Sequence, residues 1–300
     1  MTDIKRVGVV GCGLMGAGIA EVCARADVPV TVVERDAEAA RAGRLRIIRS
    51  LDRAAASGRI DAGRRDRAAA LITVVDEIEA LHDRDLVIEA VAEDERLKVD
   101  VFTRLDSVIT DDRTVLATNT SSIPVIRLAA ATTRPDRVVG VHFFNPVPVL
   151  RLVELVPSLL TSPTTTERAE QFVTGTLGKE VVRTRDKAGF VVNALLVPYL
   201  LAAVRMVESG SATVEDVDRG MVLGCAHPLG PLALTDLIGL DTTRAIAESL
   251  YAEFREPQYS PPPLLSRMVE AGLLGRKSGR GFHVYDEQAG REAPVPAGRS

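Results

Sequence analysis

The stretch Val7-Gly-Val-Val-Gly-Cys-Gly-Leu-Met-Gly-Ala-Gly-Ile-Ala20 decides how this chain is read. Its first four residues form a short apolar run of the kind that a strand buried on both faces requires. Gly11, Gly13 and Gly16 follow in G-x-G-x-x-G spacing, with Leu14 and Met15 inside the pattern, and a helix is expected from there to about Arg25. Gly11 permits the tight turn, Gly13 lets backbone approach a pyrophosphate, and Gly16 lets helix and strand pack closely. The helix N-terminus offers unsatisfied N–H groups and a positive dipole end to the phosphates. A second strand, Val28-Pro-Val-Thr-Val-Val33, ends at Glu34, which is 34 − 16 = 18 residues past the third glycine. A carboxylate there holds a ribose diol and repels a 2′-phosphate, so the pattern points to NAD rather than NADP. Arg35 works against that preference, because a guanidinium accepts the extra phosphate.

Further apolar runs continue the strand–helix rhythm at Asp85–Glu89, Thr114–Thr118, Val138–His142 and Glu180–Thr184. They fit an α/β fold, a Rossmann-type doubly wound parallel sheet with helices on both faces. Polar residues gather at the strand ends: Glu89, Glu93, Asn119 and Ser121. Ligands of open α/β sheets lie beyond the carboxyl ends of the strands, so these groups are expected to face the cofactor. Ser121 and Ser122 also read as helix caps.

Between Glu34 and Leu71 the rhythm is interrupted by a long helical stretch, read as a hairpin inserted in the sheet domain with its bend near Ser57-Gly58. It carries nine arginines (41, 44, 46, 49, 53, 59, 64, 65 and 67) against the four acids Glu38, Asp52, Asp61 and Asp66. Such a run is either a solvated face or a surface for a phosphate-rich substrate carrier.

The second chemical signal is Gly140-Val-His-Phe-Phe-Asn-Pro-Val-Pro-Val-Leu-Arg-Leu-Val-Glu-Leu-Val156. His142 closes one apolar run and Glu154 sits in the middle of the next, with the Asn145-Pro146 turn between them. A turn that folds the second run back on the first lets imidazole and carboxylate meet. That is what a general base needs: a ring nitrogen free to take a proton, and a carboxylate behind it that selects the tautomer. A surface turn with an incidental glutamate is the plainer alternative.

From Ala188 the pattern becomes helical. The run from Phe190 to Glu208 is nearly all apolar, so it is expected to be buried in a core or against another subunit, with a kink at Pro198. Helices are also expected at Val214–Leu223, Pro231–Ile238, Leu240–Phe254 and Pro263–Ala271. Asn193 is the odd amide near the start of the first, either satisfied by backbone or a donor to a substrate oxygen. The expected domains are therefore 1–186 for the dinucleotide, 187–286 all-helical, and a disordered tail at 287–300.

Bulk properties narrow the class. Three hundred residues with a net charge of −4 disfavour nucleic acid as a partner. Three widely spaced cysteines offer neither a disulfide framework nor metal spacing, and no leader-like or membrane-length apolar run is present, so a cytoplasmic protein without a metal is expected.

These motifs together resemble the short, single-function (S)-3-hydroxyacyl-CoA dehydrogenases, 3-hydroxybutyryl-CoA dehydrogenases included. The likeness runs from Val7 to about Tyr285 and rests on the glycine turn, Ile88-Glu-Ala-Val-Ala-Glu93 with Lys98, Thr118-Asn-Thr-Ser-Ser122, His142-Phe-Phe-Asn-Pro-Val147 and Leu152-Val-Glu154. Gly189-Phe-Val-Val-Asn193, Pro228-Leu-Gly-Pro231, Asp236-x-x-Gly-Leu-Asp-Thr-Thr243 and Gly275-Arg-Lys-Ser-Gly-x-Gly-Phe282 extend it. The resemblance implies that His142 is the catalytic base oriented by Glu154, and that Ser121 and Asn193 bond the substrate. It brings Glu34, Glu93, Lys98, Asn119, Ser121, Asn145 and Lys277 toward NAD, and Ser50 toward coenzyme A. Seven residues beyond Ser50 the family carries Lys where this chain has Ser57. The helical domain is implied to form a homodimer, with the active site between the two domains. The implied reaction interconverts (S)-3-hydroxyacyl-CoA and 3-oxoacyl-CoA. Related readings keep the chemistry on an acyl-carrier-protein thioester or on a sugar acid such as L-gulonate; a non-catalytic NAD sensor is the reading from another class.

Overall fold

A computed structural model describes residues 3–285, and the expected tail at 287–300 lies outside them. The chain divides into two compact units, the first ending at Phe190 and the second beginning at Val191.

The first unit is built on eight strands: β1 Val7–Val10, β2 Val30–Val33, β3 Ile72–Val75, β4 Leu86–Glu89, β5 Val115–Thr118, β6 Val138–Phe143, β7 Leu152–Pro157 and β8 Glu180–Arg183. They form one sheet in the order β3-β2-β1-β4-β5-β6-β7-β8. Its six helices are α1 Leu14–Arg25, α2 Ala37–Ala56, α3 Ala62–Ala70, α4 Glu95–Val108, α5 Val125–Ala129 and α6 Pro163–Gln171. Adjacent strand residues feed opposite core layers: Leu86 and Ile88 pack in one apolar cluster, Val87 in the other. Strands covered on both faces must be apolar throughout, which is why they read as unbroken runs.

One expectation is corrected here. The Rossmann-type parallel core is as expected, and β7, folded back after the Asn145-Pro146 turn, pairs antiparallel with β6. Neither the hairpin reading nor the strand reading included β3, which pairs with β2 at the sheet edge. Its four residues carry an alternation too short to stand out beside the charged hairpin.

The hairpin itself is α2 and α3. Asp36 caps α2 by accepting from the Ala39 N–H, and Asp61 caps α3 by accepting from the Arg64 N–H. Ala40, Gly43, Ile47, Leu51 and Ala54, spaced three and four apart, form the buried face of α2.

The second unit is helical: α7 Val192–Glu208, α8 Val214–Cys225, α9 Pro231–Ile238, α10 Leu240–Phe254 and α11 Pro263–Glu270. Helix α7 starts two residues later than expected, because Gly189 and Phe190 both take positive φ, 73° and 50°. It continues through Pro198 but is not buried all round: Leu195 is 73% exposed. Asp236 on α9 accepts from the Phe282 and His283 N–H groups, so the carboxyl-terminal Gly-rich segment is tied back to the helices. Among the described residues no helix is long and apolar enough to cross a membrane.

Candidate active site

The β1–α1 turn has the form that a pyrophosphate site needs. Gly11 has φ of 91°, a region side chains avoid, and a Cβ on Gly16 would lie 1.9 Å from the Gly11 carbonyl oxygen. A Cβ on Gly13 would meet nothing within 4 Å, so the space in front of the turn is open to a ligand's phosphates. Gly13 is the N-cap of α1 and provides no side-chain partner, which leaves the first N–H groups of the helix, from Leu14 to Gly16, to an incoming anion. Met15 is half-buried there and Leu14 exposed.

Glu34 stands directly after β2, where its carboxylate accepts from the N–H of Cys12 at 2.6 Å and of Arg35 at 3.1 Å. The Arg35 guanidinium turns away to Asp36 at 3.1 Å. The acid is thus fixed beside the glycine turn, while the Arg35 guanidinium is paired with Asp36. Within the turn, burial and then the charge of Glu34 push the Cys12 thiol up to about 12, so it stays neutral. Arg46 of α2 donates to the Cys12 carbonyl and so braces the turn from the hairpin side. These features fit a bound NAD.

At the ends of β4 and β5 the polar residues arrange differently from expectation. Glu89 does not face a cofactor: it is fully buried and pairs with the equally buried Lys98 at 2.6 Å, with Thr118 Oγ1 donating to its other oxygen at 2.7 Å. Lys98 also reaches Glu93 at 3.3 Å. Glu93 Oε1 accepts from Thr120 Oγ1 at 2.6 Å, from the N–H groups of Ser121 and Ser122 at 2.8 and 3.0 Å, and from the Ser122 hydroxyl at 2.9 Å. Burial opposes this charge, yet the Lys98 ammonium and those donors hold the Glu93 carboxyl below its ordinary range. Ser121 and Ser122 are therefore not helix caps. They belong to a loop fastened to Glu93, with Ser121 half-buried and its hydroxyl 3.2 Å from the same oxygen. Asn119 Oδ1 accepts from the Phe143 N–H at 2.8 Å, linking this loop to the end of β6.

The β6–β7 pair brings His142 and Glu154 into direct cross-strand register. Both are buried, and His142 Nδ1 lies 2.7 Å from Glu154 Oε2. The ring packs edge-on to Phe144, with centroids 4.5 Å apart, and against Phe190 at 5.5 Å. A carboxylate only accepts, so the imidazole proton sits on Nδ1 and the Nε2 lone pair is chemically able to accept a proton. Neither aromatic partner was singled out in the sequence. Phe144 lay hidden inside the motif, and Phe190 read as a helix residue, whereas its left-handed backbone turns it to the histidine. Asn145 is exposed in the turn after β6.

The remaining candidates belong to other elements. Ser50 is half-buried on α2. In the second unit, Asn193 is buried in the first turn of α7, and Lys277 is ion-paired to Asp241 at 2.6 Å. Among the described residues no group of three or more His, Cys, Asp or Glu is disposed to hold a metal ion.

Residues 6–187 match the NAD binding domain of 3-hydroxyacyl-CoA dehydrogenase, and residues 189–285 match its C-terminal domain. The chain is 60% identical over 286 residues to a 3-hydroxybutyryl-CoA dehydrogenase of Mycobacterium tuberculosis, covering 95% of this chain and 100% of that one. It is 40% identical over 289 residues to the human mitochondrial hydroxyacyl-coenzyme A dehydrogenase, covering 94% and 91% respectively. The crystal structure of (S)-3-hydroxybutyryl-CoA dehydrogenase PaaH1 from Ralstonia eutropha superposes with a TM-score of 0.89 at 43% identity, over 95% of this chain and all of that one. The chain belongs to the 3-hydroxyacyl-CoA dehydrogenase family and is an NAD-dependent oxidoreductase of that family.

Proposed function

We propose that the chain interconverts short-chain (S)-3-hydroxyacyl-CoA, such as (S)-3-hydroxybutyryl-CoA, and the corresponding 3-oxoacyl-CoA, with His142 as the base and Glu154 as its orienting partner. The observation that carries this reading is the buried 2.7 Å contact between His142 Nδ1 and Glu154 Oε2. Nε2 takes the proton of the 3-hydroxyl as the carbonyl forms, and in reverse the protonated ring returns it to the developing alkoxide. The Glu154 carboxylate stabilises the positive charge that the ring acquires in that step. NAD, when bound, supplies the acceptor for the C3 hydride. Ser121 and Asn193 are the proposed hydrogen-bond partners of the substrate oxygens, with Ser121 also beside the nicotinamide.

For the cofactor, the proposed contacts are Gly11, Gly13, Leu14, Met15 and Gly16 at the pyrophosphate, Glu34 at the adenosine ribose, and Asn119, Asn145, Glu93 and Lys277 toward the nicotinamide end. The burial of Lys98 against Glu89 supports a positioning role for Lys98 instead, acting through Glu93 on the Ser121 loop. Ser50 is the proposed coenzyme A contact on α2. The exposed apolar side chains Leu195, Met206, Leu223 and Leu237 of the helical unit support a homodimer formed through it, and bacterial relatives of this kind support a cytoplasmic location.

A substrate panel tests the reading. Reduction of acetoacetyl-CoA with NADH is expected to exceed that with NADPH and that of 3-oxoacyl carrier-protein thioesters or 3-oxo sugar acids. Faster turnover of either alternative substrate would replace the coenzyme A reading.

A further inference from the structure

Among the described residues four other than glycine have positive φ: Asp27, Phe190, Ala226 and Arg255. Three of them follow from local structure. Asp27 comes just after the end of α1, and Ala226 and Arg255 close α8 and α10, where a left-handed residue is a common way for a helix to stop. Phe190 closes no helix. It lies in the turn ahead of α7, at φ of 50° directly after Gly189 at 73°. A bulky side chain is disfavoured in that region, so the surrounding fold must hold it there.

The anchor is Asp186, four residues earlier. Its carboxylate accepts from the Val125 and Ile126 N–H groups at 2.8 Å each, in the first turn of α5, where the N-cap residue Pro124 offers no side-chain acceptor. The Phe190 N–H then donates to the Lys187 carbonyl at 3.0 Å, which closes the turn. The Phe190 ring is 7% exposed and belongs to the apolar layer that contains Ile123 and Val125. The same ring packs against the His142 imidazole, with Phe144 as the second aromatic neighbour of that imidazole. A histidine's χ2 torsion is soft, so one hydrogen bond from Nδ1 leaves the ring free to rock and carries Nε2 with it. Two aromatic walls remove that freedom.

We propose that Phe190 is a positioning residue for the His142 base: its ring limits the rotation of the imidazole and keeps water from the part it covers, and Asp186 holds the strained turn that aims it. The inference rests on the activity proposed above. A residue that only filled the apolar layer has no need of a disfavoured backbone; the left-handed turn is what directs this ring to the histidine.

Three variants test this: Phe190→Ala, Phe190→Leu and Asp186→Asn. The readings are kcat and KM for acetoacetyl-CoA, NADH affinity by fluorescence titration, and the Nδ1 proton resonance of His142 in protein with 15N-labelled histidine, assigned by its loss in His142→Ala. A displaced base costs up to about 10²-fold, so Phe190→Ala is expected to lower kcat about 10–100-fold with KM and NADH affinity within about twofold of wild type. Its Nδ1 resonance should shift or broaden as the ring gains freedom. Phe190→Leu keeps an apolar wall and should recover most of the kcat, while Asp186→Asn should show the Phe190→Ala pattern in weaker form. A kcat within about twofold of wild type in Phe190→Ala, an unchanged Nδ1 resonance, or KM and NADH affinity lost in step with kcat would each overturn the proposal. If Phe190→Ala does not fold, Asp186→Asn decides by the same readings, and wild-type kcat and resonance there would overturn it. Wild-type protein that fails to reduce acetoacetyl-CoA would remove the activity reading alone, because the Nδ1 resonance still reports whether Phe190 holds the ring.

Discussion

A histidine ring carries its proton on either nitrogen, and only a fixed partner selects between them. At His142 that partner is Glu154, held opposite it by antiparallel register rather than by a flexible loop. Replacing Glu154 by Gln keeps the shape and removes the charge. The expected outcome is a fall in kcat of about 10²-fold or more with little change in KM, because the lost stabilisation belongs to the proton-transfer step. A variant whose KM rises while kcat holds would place Glu154 in substrate binding. This pair was legible in the sequence because each partner is a lone polar residue in an apolar run with one turn between them. Phe190 was not, since its position depends on the left-handed backbone at Gly189-Phe190, which periodicity does not report.

The strands β4 and β5 end in a charged layer that works as an element rather than as separate contacts. Lys98 is 1% exposed and faces a fully buried Glu89, so removing one partner strands the other charge in the core. Lys98→Met is expected to lower the unfolding free energy by about 3–5 kcal/mol, measured by urea denaturation. A loss below about 1 kcal/mol would mean that the pair is solvated and behaves as a surface bridge. Glu93 adds a pH dependence. Its folded-state pKa lies below the ordinary 4.5, so its contribution is complete above that value and is lost as pH falls through the depressed one. The acid limb of the stability curve is therefore expected to be shallower in Glu93→Gln than in wild type, and identical limbs would contradict the assignment. The sequence pointed to a polar gathering at these strand ends but not to its direction. A strand-end carboxylate faces ligand or core according to whether a cation packs beside it, and the helix that supplies Lys98 is set by tertiary packing. The edge strand β3 was missed for a related reason, four residues being too few to show a period beside a charged hairpin.

At the scale of the whole molecule, the order β3-β2-β1-β4-β5-β6-β7-β8 puts the glycine turn, the Ser121 loop and the histidine strand along one sheet. The glycine spacing and the acid after β2 foretold the cofactor half of that arrangement. The reversal at β7, which sets Glu154 opposite His142, followed only from the turn at Asn145-Pro146. The helical unit exposes Leu195 and Leu223 at 73% and 71%, and light scattering is expected to give the mass of two chains, against the 32.2 kDa of one. A monomer at micromolar concentration would remove the dimer from the account. The central claim is that His142 moves the proton, and one variant tests it directly. His142→Ala should bind NADH as wild type does, by fluorescence titration, while its kcat for acetoacetyl-CoA falls about 10²–10⁴-fold. Turnover within a few-fold of wild type in a variant that still binds NADH would contradict it.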